Sequence, residues 1–234
     1  MTGGNEGRYA VYFAPDPASA LAQFGAAWLG YDVATGATVP QPAVEGIAPE
    51  RLGAITAEPR RYGFHATLKP PFFVAEGRDA SSLSTAVAAL AAGVAAFTAP
   101  RLQLKRISGF WALTPSAPCS NLDRLAEICV RELDAFRAAP STEELARRRR
   151  AQLSPRQEEL LVIWGYPYVL EQFRFHMTLT GRLDGTESDT VGEALAPLVT
   201  PYCTTPLTID AVSLFHQERA GAPFHLLRRY PLAG

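Results

Sequence analysis

Two stretches decide how this chain folds: residues 61–71, RYGFHATLKPP, and residues 172–181, QFRFHMTLTG. Both contain Phe-His-x-Thr-Leu, one copy in each half of a 234-residue chain that has four histidines to place. Side chains alternate across a strand. In the first copy Phe64, Ala66 and Leu68 share one face, and His65, Thr67 and Lys69 share the other. In the second copy Phe173, Phe175, Met177 and Leu179 oppose Arg174, His176, Thr178 and Thr180. Each strand therefore has an apolar face for a core and a polar face of imidazole, hydroxyl and cation. Two such strands side by side would line one cleft with two imidazoles, hydroxyls and two positive charges.

That set suits transfer at phosphorus. Two histidines can hold opposite protonation states near neutral pH. The neutral ring removes a proton from an attacking water and the charged ring protonates the leaving oxygen. Thr67 and Thr178 can donate to the non-bridging oxygens, and Lys69 and Arg174 can hold their charge. His-x-Thr offers one metal ligand per strand, and no acidic residue adjoins either histidine, so no metal or other cofactor is expected. A lone His-x-Thr on a strand is more often structural; the pairing in the two halves is what lifts the chemical reading above the bland one.

The rest of the sequence places the motifs. Residues 8–15, RYAVYFAP, read as a strand ending at a proline, and residues 16–30 as a helix stopped by Gly30. A short helix is expected over residues 49–56, and a strand at the first motif ended by Pro70-Pro71. A helix over residues 79–99 precedes two strands, 101–107 and 109–115, joined through Ser-Gly. A helix over residues 120–137 and a partly helical segment, 146–169, lead to the second motif; a helix at 188–199 and strands at 207–218 and 224–232 close the chain. The order of elements repeats, which predicts an α+β protein, one domain of two similar lobes. The first lobe spans about residues 8–115 with parts of the C-terminus, and the second about residues 116–232.

Composition narrows the function. Hydrophobic content is 47% and charged content 19%, as in ordinary globular chains. A formal net charge of -1 gives no global field for coating long nucleic acid. Cys119, Cys129 and Cys203 form no CxxC pair, which argues against a disulfide framework or a zinc site and fits a reducing cytoplasm. The N-terminal MTGGNEGRYAVYF lacks a signal pattern, and the longest apolar run, residues 86–97, is too short to span a bilayer, so no membrane partner is expected and the run reads as a buried helix.

The paired His-x-Thr motifs resemble the two-histidine (2H) phosphoesterase superfamily. RYAVYFAP, FGAAWLGYD, RRYGFHATLKPPF, GFWAL and FRFHMTLTGRL together look like a bacterial branch of it found with carbon–phosphorus lyase genes, over about residues 8–232. The resemblance implies a duplicated LigT-like fold, antiparallel sheets around a central cleft with helices outside. By position it makes His65 and His176 the catalytic pair, with Thr67 and Thr178 on the phosphate. It implies hydrolysis of a small cyclic phosphodiester on a phosphorylated sugar or nucleotide, with 5-phosphoribosyl 1,2-cyclic phosphate the candidate in phosphonate use. An RNA 2′,3′-cyclic phosphodiesterase or ligase and a non-catalytic module binding a phosphorylated ligand are the alternatives.

Other residues have plainer readings. Tyr12 shares strand parity with Arg8 and could reach the cleft and the substrate, as first-strand residues often do in this superfamily. Tyr62 has the opposite parity to His65 and reads as packing. Arg61 and Lys105 are candidates for a second phosphate against a default of solvated charge. The run Arg147–Arg150 reads as a solvated helix face or loop. His216 and His225 lack a following threonine and read as structural, and Trp28, Trp111 and Trp164 as core or cleft wall.

Overall fold

The computed structural model describes residues 7–234. The expectation that the N-terminus carries no signal pattern falls largely on residues 1–6, outside that range. In chain order the elements are β1 (Arg8–Phe13), α1 (Ala20–Leu29), α2 (Pro49–Ile55), α3 (Ala57–Arg60), β2 (Ala66–Phe72), α4 (Ala80–Ala92), β3 (Phe97–Ala99), β4 (Leu102–Ile107), β5 (Phe110–Pro115) and α5 (Ser120–Glu132). There follow α6 (Thr142–Arg149), α7 (Pro155–Trp164), β6 (Met177–Thr178), α8 (Gly185–Val199), β7 (Leu207–Ile209), β8 (Ala211–Gln217) and β9 (His225–Pro231). This is an α+β fold with antiparallel sheets, as the alternating patterns predicted.

Local chemistry sets the boundaries. Ser19 accepts from the Ala22 N–H to cap α1, and Gly30 ends it at φ +74, a left-handed value that glycine adopts without a Cβ penalty. Asp79 and Ser82 form a reciprocal capping box on α4, and Ser154 and Gln157 do the same on α7, where Pro155 occupies the first turn. The β4–β5 turn uses Ser108 and Gly109 at φ 47 and 93, the positive values a two-residue hairpin requires. The apolar run at residues 86–97 is not one helix. α4 stops at Ala92 before Gly93, and Phe97–Ala99 extends to pair with β7.

β1 sits inside a four-stranded sheet ordered β2-β1-β8-β9, so both of its edges are hydrogen-bonded, and both of its faces are covered as well. Val11 and Phe13 enter the main core with Trp28, Leu68, Leu83 and Leu214, while Ala10, Tyr12 and Ala14 pack with Phe215 and Phe224 on the other face. A second sheet, β4-β5-β6, carries the second motif, and β3 and β7 form a small third sheet. The sheets do not follow a division of the chain near residue 115. β4 and β5, from the first half, build the sheet of the second motif, whereas β8 and β9, from the second half, complete the sheet of the first. Trp28 of α1 donates its indole N–H to the Leu179 carbonyl at 2.8 Å, tying a helix of the first half to the second motif.

Two details of β2 differ from expectation. The strand runs through Pro70 and Pro71 instead of ending there. β2 is an edge strand, where a missing N–H costs no ladder bond. The register against β1 also slips twice: Tyr12 faces Thr67 and Val11 faces Lys69, while Tyr9 faces Phe72. Each slip inserts one extra β2 residue, a bulge, and each bulge reverses the alternation beyond it.

Candidate active site

The loop between α3 and β2 delivers the first histidine. Gly63 ends the turn after α3 at φ +75, and a Cβ there would stand 1.9 Å from a Val33 methyl, so no other residue fits. His65 then lies just ahead of β2. Its Nδ1–H donates to the Gly63 carbonyl at 2.9 Å, and its Nε2 stands 3.2 Å from Thr67 Oγ1. His176, just ahead of β6, repeats the arrangement: its Nδ1–H donates to the Arg174 carbonyl at 2.7 Å. A carbonyl can only accept, so both rings keep a proton on Nδ1 and present Nε2 as the reactive nitrogen. Each imidazole also meets an aromatic ring. Tyr12 stacks on His65 with centroids 3.8 Å apart, and Phe110 lies 5.7 Å from His176.

Both histidines line one cavity of about 540 Å³, together with Tyr12, Thr67 and Thr178. Burial pushes the His65 imidazole down to about 4, the bond to Gly63 opposes this, and charge on His176 lowers it further. His176 is lowered as well, again chiefly by burial. Burial raises the Tyr12 phenol well above its usual range, so it keeps its proton. Among the described residues its buried Oη has no hydrogen-bond partner.

Two expected phosphate contacts are not on this cavity. Lys69 is 2% exposed; its ammonium donates to the Val130 carbonyl at 3.0 Å and pairs with Asp134 at 3.4 Å, under α5. The bulge between Thr67 and Lys69 turns the lysine to the core face beside Val11 and leaves the threonine on the cavity face beside Tyr12. Lys69 is therefore a structural lysine and not a substrate cation. Arg174 precedes the two-residue strand β6, so strand alternation does not reach it. Its side chain lines an adjoining cavity of about 490 Å³ that shares His176 and Thr67 with the first. Lys105 lies in a third cavity away from both histidines, and no tryptophan lines the first.

The cations on the cavity come from elsewhere. Arg8, Arg61, Arg147, Arg148 and Arg182 line it, against a single lining carboxylate, Glu58. A protein with net charge -1 thus concentrates positive charge where its two histidines meet. Tyr62, expected to be packing, also lines the cavity, stacked on Phe224 at 5.5 Å. The arginine run, expected to be solvated, contributes Arg147 and Arg148; four consecutive arginines in a chain only 19% charged were the available signal. Tyr166 and Arg182 carried no pattern that singles them out. Among the described residues, no group of three or more His, Cys, Asp and Glu side chains could hold a metal, and no helix is long and apolar enough to cross a membrane.

The arrangement defines an α+β protein with two oriented imidazoles in an arginine-rich cavity. Residues 67–225 match the family model described as Protein of unknown function (DUF1045), and the chain belongs to that family. It is 39% identical over 231 residues to the ribose 1,5-bisphosphate phosphokinase PhnN of Janthinobacterium sp. (strain Marseille), covering 97% of this chain and 51% of that protein. It is 38% identical over 221 residues to the protein of the same name from Laribacter hongkongensis (strain HLHK9), covering 94% and 51%. The chain thus spans about half the length of the curated relatives it matches. Among solved structures, it is similar to E. coli LigT complexed with 3′-AMP at 14% identity and a TM-score of 0.45, covering 97% of this chain and 99% of LigT. LigT complexed with NADP+ gives 13% and 0.44, covering 99% and 100%.

Proposed function

We propose that the protein is a metal-independent two-histidine phosphoesterase that opens a small cyclic phosphodiester, with 5-phosphoribosyl 1,2-cyclic phosphate as its substrate. The observation that carries this reading is the matched seating of His65 and His176. Each ring donates Nδ1–H to the carbonyl two residues before it, and both line one cavity. His65, held neutral by its surroundings, is the general base. Its Nε2 takes a proton from water as the water oxygen bonds to phosphorus. His176, protonated once an anionic substrate sits beside it, gives its Nε2 proton to the departing sugar oxygen as the P–O bond breaks. Thr67 and Thr178 donate to the non-bridging oxygens, and Arg8, Arg61 and Arg182 of the cavity offset the charge that builds there.

Breaking the bond from phosphorus to sugar O2 leaves the 1-phosphate in place and a free 2-hydroxyl, so the product is ribose 1,5-bisphosphate. The two curated relatives are named for a kinase acting on that compound, and their remaining length leaves room for a second activity beside the region shared with this chain. A hydrolase making ribose 1,5-bisphosphate fits beside a kinase that consumes it.

The test is phosphorus NMR of a panel of cyclic phosphates incubated with the protein in EDTA. Conversion of 5-phosphoribosyl 1,2-cyclic phosphate to ribose 1,5-bisphosphate is expected, with turnover reduced at least about a hundredfold by His65→Ala or His176→Ala. Loss of activity in EDTA, or near-normal rates in either variant, would remove the mechanism. Turnover confined to RNA ends, with a steep loss in salt, would move the substrate to a nucleic acid.

A further inference from the structure

A cyclic phosphodiester carries one negative charge, yet five arginines face the cavity against one glutamate. The surplus is organised. α6 buries none of its residues, so it contributes nothing to the core, and its last turn is Arg147, Arg148 and Arg149. Arg149 turns away to pair with Glu158 at 2.6 Å, while Arg147 and Arg148 line the cavity.

The pair differs in freedom. Arg148 is 16% exposed; its guanidinium lies 4.6 Å from the Tyr166 ring centroid and is held by Glu144 at 2.9 Å. Its Nε–H is buried and has no partner among the described residues. Arg147 reaches the same Glu144 oxygen only at 3.7 Å and is 57% exposed, leaving most of its donors open. One carboxylate therefore serves two guanidinium groups, so the pair retains about one positive charge and several unpaired N–H groups. Such a planar fork over an aromatic ring matches a phosphate monoester. Tyr166, beneath the Arg148 guanidinium, lines this cavity and also the adjoining one that shares His176 and Thr67 with it.

We propose that Arg147 and Arg148 form a second phosphate-binding site in this cavity, the one that takes a terminal phosphate monoester carried by the sugar in addition to its cyclic diester. This rests on the phosphoesterase reading and adds the residues that select the substrate within it. Five arginines round one cavity suit a short ligand with two phosphates. α6, built for no packing purpose, is present to carry the clamp.

The experiment compares 5-phosphoribosyl 1,2-cyclic phosphate with ribose 1,2-cyclic phosphate, which lacks the terminal group. Arg147→Gln/Arg148→Gln should lower kcat/KM for the first by roughly tenfold to a hundredfold, the range for charge-assisted hydrogen bonds, and leave the second unchanged. Arg149→Gln, the matched control outside the cavity, should alter neither. Equal losses on both substrates, or none on either, would overturn the clamp. A binding arm separates this from the catalytic proposal. Ribose 5-phosphate, titrated calorimetrically, should bind wild type and His65→Ala alike and lose affinity in the double arginine variant. That result with no turnover of any cyclic phosphate would keep the subsite and sink the reaction; ribose 5-phosphate binding unaffected by the arginine changes would sink the subsite whatever the reaction.

Discussion

Tyr12 lies nearly flat against His65, with ring centroids 3.8 Å apart and planes 28° from parallel. Its ring packs on the imidazole from one side, Tyr12 lines the cavity, and its hydroxyl is buried and unpartnered among the described residues. A buried hydroxyl with no acceptor is a cost unless a ligand supplies one. Tyr12→Phe should leave thermal stability unchanged or slightly raised and cut kcat/KM by roughly tenfold or more, the value of a hydrogen bond to a charged oxygen. Unchanged kinetics would reduce Tyr12 to a packing role.

Gly63 supplies the carbonyl that orients His65 and sits at φ +75 against Val33. Gly63→Ala meets both a left-handed backbone and a methyl already in place. A loss of about 2 kcal/mol or more in urea unfolding is expected. A fall in kcat larger than the rise in KM should accompany it, because the loop that moves carries the base. Val33→Ala should restore part of the stability of Gly63→Ala by vacating the colliding methyl.

Acid should weaken the fold through the histidines. His65 keeps its proton off down to about 4 in the folded protein, against an ordinary value of 6.5. Between those values the unfolded chain binds the proton and the folded one does not, so stability rises with pH across that window. The contribution is complete above about pH 6.5 and is lost as pH falls toward 4. His176, also lowered, acts with the same sign. Urea midpoints at pH 7.5 and pH 4.5 measure the loss, and His65→Asn should shrink it.

Lys69 gives the converse case, a motif residue with no part in binding. Its ammonium holds the end of α5 through Val130 and Asp134 while Asp134 also pairs with Arg137 at 2.8 Å. Lys69→Ala should cost about 2–4 kcal/mol through the cavity and the lost bonds. KM in the folded variant should stay within about twofold of wild type; a large rise in KM alone would return Lys69 to the substrate.

Much of this was written locally. The alternation in Phe64–Leu68 and Phe175–Leu179 was enough to set His65 with Thr67, and His176 with Thr178, opposite the apolar face, because period-2 patterning needs only nearest neighbours. The β4–β5 hairpin followed from Ser108-Gly109 and the stop of α1 from Gly30, whereas the helix expected over residues 79–99 ran past the stop of α4 at Gly93. Lys69 was misplaced because a bulge depends on how the partner strand β1 is met, and nothing in ATLKPP states that register. Pro70-Pro71 was misread for a related reason: proline is excluded from a strand's interior position in a sheet but not from its edge, and edge position is a tertiary fact. The roles of Arg147 and Arg148 depend on where α6 docks, which its own polar sequence does not encode.

The exchange of strands between the two halves has a consequence for how the molecule is made. β1 leaves the ribosome well before β8, Ala211–Gln217, which supplies one of its hydrogen-bonded edges. Phe215 and Phe224, which back Tyr12 behind His65, arrive in the same late stretch. The nascent chain therefore carries a half-clad apolar strand until β8 emerges, and the first histidine is made well before the residues that fix it in place. A ribosome stalled before residue 211 would hold a chain with that edge still open, a natural client for chaperones that bind unpaired strands.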